Sequence, residues 1–191
     1  MRITQKKRGI VTRKRTPIYL MQVEGNNRTE KNYLKAIGKD KKVRIVFTKG
    51  NYTDPINMAK NLLKEIEKED LKNKNGDKAY CIFDTDIELS KQKQIDIAYQ
   101  LLSKKTIAEI ILSNPCFEYW FILHFSRENH AFNSNDEVME ALKKYIPEYE
   151  KNKNCYLLLQ DKTEVAVKNA KAVEKTHRDL RARFKKDGVQ S

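Results

Sequence analysis

Four short apolar runs alternate with segments of helical periodicity, and this alternation constrains the fold more than any other feature of the chain. The runs occupy residues 18–23, 43–47, 79–83 and 107–112. Between them, apolar residues recur at spacings of three and four, as at Ile56, Ala59, Leu63 and Ile66. Such repeats build parallel sheets through right-handed crossovers. We therefore predict an α/β fold with a four-stranded, mainly parallel, Rossmann-like sheet flanked by helices.

Two residue pairs that end in proline mark predicted helix starts. Asp54 is a typical N-cap and Pro55 a typical first helical residue. We interpret Asn114 and Pro115 in the same way, which predicts a helix that carries Glu118 in its first turn. Because the rest of this helix is almost entirely apolar, we expect it to be buried.

Acidic residues follow two of the predicted strands directly. Glu24 comes after the first run, and Asp84 and Asp86 come after the third. Parallel α/β sheets bind ligands outside the carboxyl ends of their strands, so these side chains are expected to converge at one edge. Glu118 follows the fourth strand and is predicted at the same edge.

Clustered carboxylates are the ligands that hard divalent cations prefer. The sequence thus predicts a Mg²⁺ or Mn²⁺ site formed by Glu24, Asp84, Asp86 and Glu118. An isolated Asp-x-Asp is also typical of a turn with Asx hydrogen bonds, and this alternative stays open. A metal in such a site polarises phosphoryl oxygens and activates water, and Lys49, just after the second strand, is a candidate contact for a phosphate.

The net charge of +13 is unevenly distributed and points to a polyanionic partner. Residues 1–16 form a basic arm with seven cations and no acid, which leaves +6 for the rest of the chain. A basic body with a basic arm favours nucleic acid, with Arg13, Lys14 and Arg15 as candidate contacts. A solubilising tail is the alternative interpretation of the arm.

The remaining features define the domains and the expected surroundings of the protein. No run approaches the roughly 20 apolar residues of a membrane span, and no signal peptide is visible, so we expect a cytoplasmic protein with no membrane partner.

After an α/β domain over residues 17–125, helical patterns near 136–145 and 163–184 predict a C-terminal helical extension, residues 126–191, packed on the same domain.

The motifs above resemble a Toprim-type domain, whose hallmarks are a Glu-Gly after the first strand and an Asp-x-Asp after the third. Here these are Glu24-Gly25 and Asp84-Thr85-Asp86. More narrowly, the chain resembles the RloB family in residues 29–33, 49–50 and 54–55, and above all in the block at residues 113–125, which begins Ser-Asn-Pro-Cys-Phe-Glu. The resemblance runs from about residue 17 to the last helix.

The resemblance implies a Toprim-like fold and a magnesium-dependent nuclease that acts in defence against phage, with a partner ATPase in many relatives. It makes Glu24 a ligand or general acid/base, and Asp84 and Asp86 metal ligands, with Glu88 as a further candidate. Glu118 and His124 belong to the family block; for His124 we favour a packing role over a catalytic one.

Two other functions remain open from the sequence. The protein is alternatively a non-catalytic module that binds nucleic acid, or a regulatory subunit of a defence complex. Self-association is compatible with each of these functions.

Overall fold

The strands form a single four-stranded sheet in which every neighbouring pair is parallel. A computed structural model of the chain describes residues 15–25, 28–85, 89–127 and 131–186. The strands are β1 (Ile18–Val23), β2 (Arg44–Phe47), β3 (Lys78–Asp84) and β4 (Ala108–Ser113), in the order β2-β1-β3-β4. The predicted α/β class and parallel sheet are confirmed. Arg13, Lys14, Asp86 and Glu88 lie outside the described residues.

In the part of the chain that the structure describes, three α-helices make the crossovers and four more follow the sheet. The crossover helices are α1 (Arg28–Asp40), α2 (Pro55–Lys68) and α3 (Leu89–Leu102). After β4 come α4 (Glu118–Ile122), α5 (Asn135–Lys143), α6 (Tyr156–Leu159) and α7 (Thr163–Lys186). As predicted, Asp54 caps α2 by accepting a hydrogen bond from Asn57 N at 2.8 Å.

The predicted start of the buried helix after β4 is wrong. Helix α4 begins at Glu118, three residues after Pro115, and the Asn114–Pro115 peptide is cis. The Asn114 side-chain oxygen accepts a hydrogen bond from Thr85 Oγ1 at 3.0 Å. Asn114 therefore ties the end of β4 to the residue after β3 and does not cap the helix.

The two faces of the sheet carry different cores. Helices α2 and α3 cover one face, where Leu20, Cys81 and Phe83 pack against residues such as Leu62 and Ile95. Side chains alternate between the faces of a strand. The other face carries a smaller cluster of Met21, Val23 and Ile82 with Leu34 of α1.

The C-terminal helices pack against α1 through a third, largely aromatic cluster. Its most buried members include Tyr33, Phe121, Ile122, Leu142 and Leu159. Polar contacts reinforce this packing, since Asn152 N donates to Thr29 Oγ1 at 3.1 Å and Tyr156 OH donates to Asp40 at 2.8 Å. Helix α1, which lies next to the predicted site, is thus held between the sheet and the C-terminal helices.

Within the described residues, no helix has both the length and the apolar character that a membrane crossing requires.

Candidate functional site

The strand order creates a crevice between β1 and β3. From β1 the chain crosses to β2 on one side and then to β3 on the other. The two connections leave in opposite directions at the carboxyl ends of β1 and β3, which is where open α/β sheets bind ligands. Glu24 follows β1 by one residue and Asp84 ends β3, so both lie at this crevice.

Glu24 is held by one backbone group and one side-chain cation. Its Oε2 atom accepts a hydrogen bond from Asp84 N at 3.2 Å. Lys91 Nζ lies 3.0 Å from both carboxylate oxygens, and its side chain is only 10% exposed. Gly25 then adopts a φ of +54°, a conformation that glycine tolerates, so the chain turns away directly after the carboxylate. Glu24 is therefore fixed at the end of its strand.

Sequence reasoning missed Lys91. It lies in the first turn of α3, at spacings of 4, 3 and 4 before the buried residues Ile95, Ala98 and Leu102. This places a lysine on the apolar seam of an amphipathic helix. A cation on such a seam requires a buried partner, and that was the signal in the sequence.

Asp84 lies on the opposite face of the sheet from Glu24. Residues two apart share a face, so Asp84 follows Ile82 on the α1 side, whereas Glu24 follows Leu20 on the α2 and α3 side. The Oδ1 atom of Asp84 is completely buried. The hydrogen bond that joins the two residues comes from the backbone of Asp84, whose N–H donates to Glu24 Oε2.

Glu30 is the second site residue that the sequence reasoning did not select. It lies in the first turn of α1 and is 1% exposed. Its pKa is raised from 4.5 to about 8, chiefly by burial and in smaller part by the charges of Asp84, Glu118 and Glu24, against a backbone hydrogen bond that lowers it. Glu30 is thus coupled electrostatically to the carboxyl groups of Asp84, Glu118 and Glu24. The sequence feature that could have indicated the burial of Glu30 was its position three residues before the buried Tyr33, on the same helix face.

Glu118 joins this cluster from α4. It is 4% exposed, and its Oε1 atom accepts a hydrogen bond from Tyr149 OH at 3.0 Å. Burial, and secondarily the Glu118 charge, raises the pKa of Tyr149. The hydroxyl therefore stays protonated and donates to the carboxylate. Tyr149 comes from the chain after α5, so the C-terminal part of the protein completes this wall of the site.

Comparison with known proteins identifies the family. A model of the family described as RloB-like protein matches residues 19–187. The chain belongs to the RloB-like family. Searches of the curated proteins and of the solved structures returned no match.

His124 of the RloB-like block lies within the aromatic cluster. Its Nδ1 atom is 2.9 Å from Trp120 O and its Nε2 atom 3.3 Å from Tyr33 OH. Burial lowers its pKa, so the neutral ring donates from Nδ1 to the carbonyl and accepts at Nε2 from Tyr33. These contacts support a packing role.

The predicted phosphate contacts lie at two different edges of the sheet. Lys49 is exposed just after the carboxyl end of β2, and its carbonyl accepts a hydrogen bond from Asn61 Nδ2 at 2.9 Å. Arg15 lies at the opposite, amino edge, where its Nη2 atom is 3.4 Å from Asp77 Oδ2. Of the two, only Lys49 shares an edge with the carboxylates.

The acidic cluster of this RloB-like protein has the donor chemistry of a hard-cation site. Glu24, Asp84 and Glu118, with Glu30, offer oxygen ligands of the kind that Mg²⁺ and Mn²⁺ prefer. Across residues 15–25, 28–85, 89–127 and 131–186, no three Asp, Glu, His or Cys side chains are grouped closely enough to hold an ion as they stand. Asp86 and Glu88 are not among these residues.

Proposed function

We propose that this RloB-like protein is a divalent-metal-dependent nuclease with a Toprim-type site, which hydrolyses phosphodiester bonds of DNA or RNA in antiphage defence. The observation that carries the proposal is the position of Glu24 and Asp84 at the carboxyl ends of β1 and β3, with Glu30 coupled electrostatically to them and to Glu118. Glu30 is protonated at neutral pH and Lys91 pairs with Glu24, so Asp84 and Glu118 are the acids that a bound cation would balance. A cytoplasmic location and an ATPase partner belong to the same proposal.

The side chains have distinct tasks in this proposal. Glu24, Asp84 and Glu118, with Asp86 two residues after Asp84 in the sequence, would hold Mg²⁺ or Mn²⁺. A bound ion of this kind polarises a phosphoryl oxygen and lowers the pKa of water. Lys91 orients Glu24 through contacts of 3.0 Å and supplies a fixed positive charge beside the site of phosphate binding. Tyr149 orients Glu118 from the other side.

The net charge supports a nucleic-acid substrate. At +13, the protein attracts a phosphate backbone even though its proposed active edge is acidic. Exposed Lys49, which follows β2 at that edge, is placed to contact a phosphate that does not react.

The test is cleavage of end-labelled DNA and RNA with Mg²⁺ or Mn²⁺ by the wild type, Asp84→Asn and Glu24→Gln. We expect cleavage by the wild type alone, and weaker heats for both variants when the metal is titrated calorimetrically. Glu148→Gln, which changes an exposed glutamate, is the matched control and should behave as the wild type. Cleavage that survives both site substitutions in folded protein would disprove the proposal.

A second candidate is a non-catalytic nucleic-acid-binding or regulatory subunit of a defence complex. The Lys91–Glu24 pair favours it, because a protein cation already neutralises one of the acids. This candidate predicts salt-sensitive binding that neither a chelator nor Asp84→Asn changes. A regulatory subunit would in addition be inactive alone and co-purify with its ATPase.

A further inference from the structure

A basic cleft lies at the edge of the sheet opposite the carboxylates. It is formed by the connections from α2 to β3 and from α3 to β4, and has a volume of about 330 Å³. Its floor is apolar and consists of Ile66, Leu71 and Ile107, each less than 10% exposed. Its rim carries four lysines: Lys72, Lys74, Lys104 and Lys105. This volume is at the lower end of the range for ligand pockets, about 300 to 1,000 Å³.

The rim lysines are available to an anion. Lys74 and Lys104 are exposed and make no ion pair with a described residue. Lys72 and Lys105 pair with the exposed acids Asp70, at 2.7 Å, and Glu67, at 3.3 Å. Ion pairs this exposed contribute little to stability, so both lysines can turn to a phosphate at little cost.

The dipole of α2 does not account for Lys72 and Lys74. Lysines in the last turn of a helix stabilise its dipole, but the effect ends with that turn. Helix α2 ends at Lys68, so Lys72 and Lys74 lie four and six residues beyond it. Their convergence over an apolar floor with two lysines from another connection requires a different explanation.

Asp77 joins this cleft to the basic arm. Its buried Oδ2 atom accepts a hydrogen bond from Lys72 N at 2.9 Å and lies 3.4 Å from Arg15 Nη2. The first lysine of the cleft, through its backbone N–H, and the last cation of the arm therefore share one carboxylate oxygen. Six further cations and no acid precede Arg15 in the sequence. Arg15 thus connects the cleft to a segment whose sequence is basic, and a charge of this size favours a polymer of phosphates over a small anion.

We propose that this basic cleft is a second nucleic-acid-binding site, separate from the carboxylate site, that binds backbone phosphates through Lys72, Lys74, Lys104 and Lys105. The inference rests on the proposed function only in taking nucleic acid as the polyanion. The seven residues of β3 separate the two edges by about 23 Å, at about 3.3 Å per residue. At about 3.4 Å per base pair, a duplex of more than about seven base pairs reaches both.

The experiment measures binding without cleavage. Fluorescence anisotropy with 20-base-pair DNA and RNA duplexes is recorded in EDTA at several salt concentrations, with full-length protein that carries Asp84→Asn. Lys74→Glu/Lys104→Glu should weaken binding at least about tenfold and reduce the salt dependence by about two phosphate contacts. Lys168→Glu/Lys171→Glu changes the same charge at exposed positions of α7, and should weaken binding less than about threefold by the general field alone.

Equal weakening by the two double variants would overturn the inference, and so would a parent protein that binds neither duplex. Thermal melting checks the fold, and Lys74→Gln/Lys104→Gln replaces the charge reversal if that variant does not fold. The outcome is distinct from that of the proposed function. If binding depends on the cleft lysines but the wild type cleaves no substrate, this inference is retained and the nuclease is rejected. If the wild type cleaves but binding does not depend on the cleft lysines, the nuclease is retained and this inference is rejected.

Discussion

Replacing Glu30 with Gln should stabilise the protein at neutral pH, although it removes a residue of the candidate site. Glu30 is 1% exposed, and burial, with the charges of Asp84, Glu118 and Glu24, raises its pKa from 4.5 to about 8. At pH 7 the carboxyl group is therefore protonated in the native protein, whereas it is ionised in the unfolded chain. Gln resembles the protonated group and does not titrate.

The size of the effect follows from proton linkage. A raised native pKa gives stability that is fully present below pH 4.5 and is lost as the pH rises to about 8. Each pH unit in this window costs about 1.4 kcal/mol. The wild type should therefore lose about 3 kcal/mol by pH 7 through this residue. Glu30→Gln avoids the loss, so its advantage should be about 1 kcal/mol at pH 5 and about 3 kcal/mol at pH 7.

The assay is urea unfolding in EDTA at pH 5, 6 and 7, which gives the free energy of unfolding of wild type and variant. Glu148→Gln is the control, because the same change at an exposed position should alter stability by less than about 0.5 kcal/mol at each pH. A Glu30→Gln advantage that is the same at pH 5 and pH 7 would refute the reasoning. So would a variant less stable than the wild type at pH 7, because it would mean that Glu30 is ionised in the native state.

Three further substitutions test single contacts. Lys91→Met should lower the free energy of unfolding in urea by about 3 kcal/mol, because it leaves Glu24 without its cation. Combining it with Glu24→Gln should cost less than the sum of the two single changes, and simple additivity would contradict the ion pair. His124→Ala should destabilise the fold by about 3 kcal/mol yet leave the cleavage rate per folded molecule unchanged, whereas a folded but inactive variant would assign the ring to the chemistry. Tyr149→Phe should cost about 1 to 3 kcal/mol, since it leaves Glu118 buried without its donor; unchanged stability would argue against this hydrogen bond.

The parallel sheet could be predicted because its determinants are local. Apolar runs, helical spacings and the Asp54-Pro55 cap act over a few residues, and the right-handed crossover rule converts their order into a sheet. The same reasoning was wrong at Asn114, where the side chain has a choice of partners. It binds Thr85 at the end of β3, and that distant contact outweighs the local preference for a helix cap.

Glu30 and Lys91 were missed because the sequence shows their helix face only as a spacing, and a spacing does not say what that face packs against. Each is a charged residue in the first turn of a helix, a position that is usually solvated. They are buried because α1 lies between the sheet and the C-terminal helices, and because α3 packs its first turn against the end of β1. Only the packing of these helices turns two ordinary charges into site residues.

The sequence by itself determined that acids follow the first and third strands, and that parallel strands bring these ends to one edge. The tertiary structure decided how the acids are distributed there. Side chains alternate across a strand, so Glu24 lies on the face of α3 and pairs with Lys91, whereas Asp84 lies on the face of α1 near Glu30 and Glu118. Which face each strand presents to which helix depends on the register of the whole sheet, and no short segment of the chain contains that information.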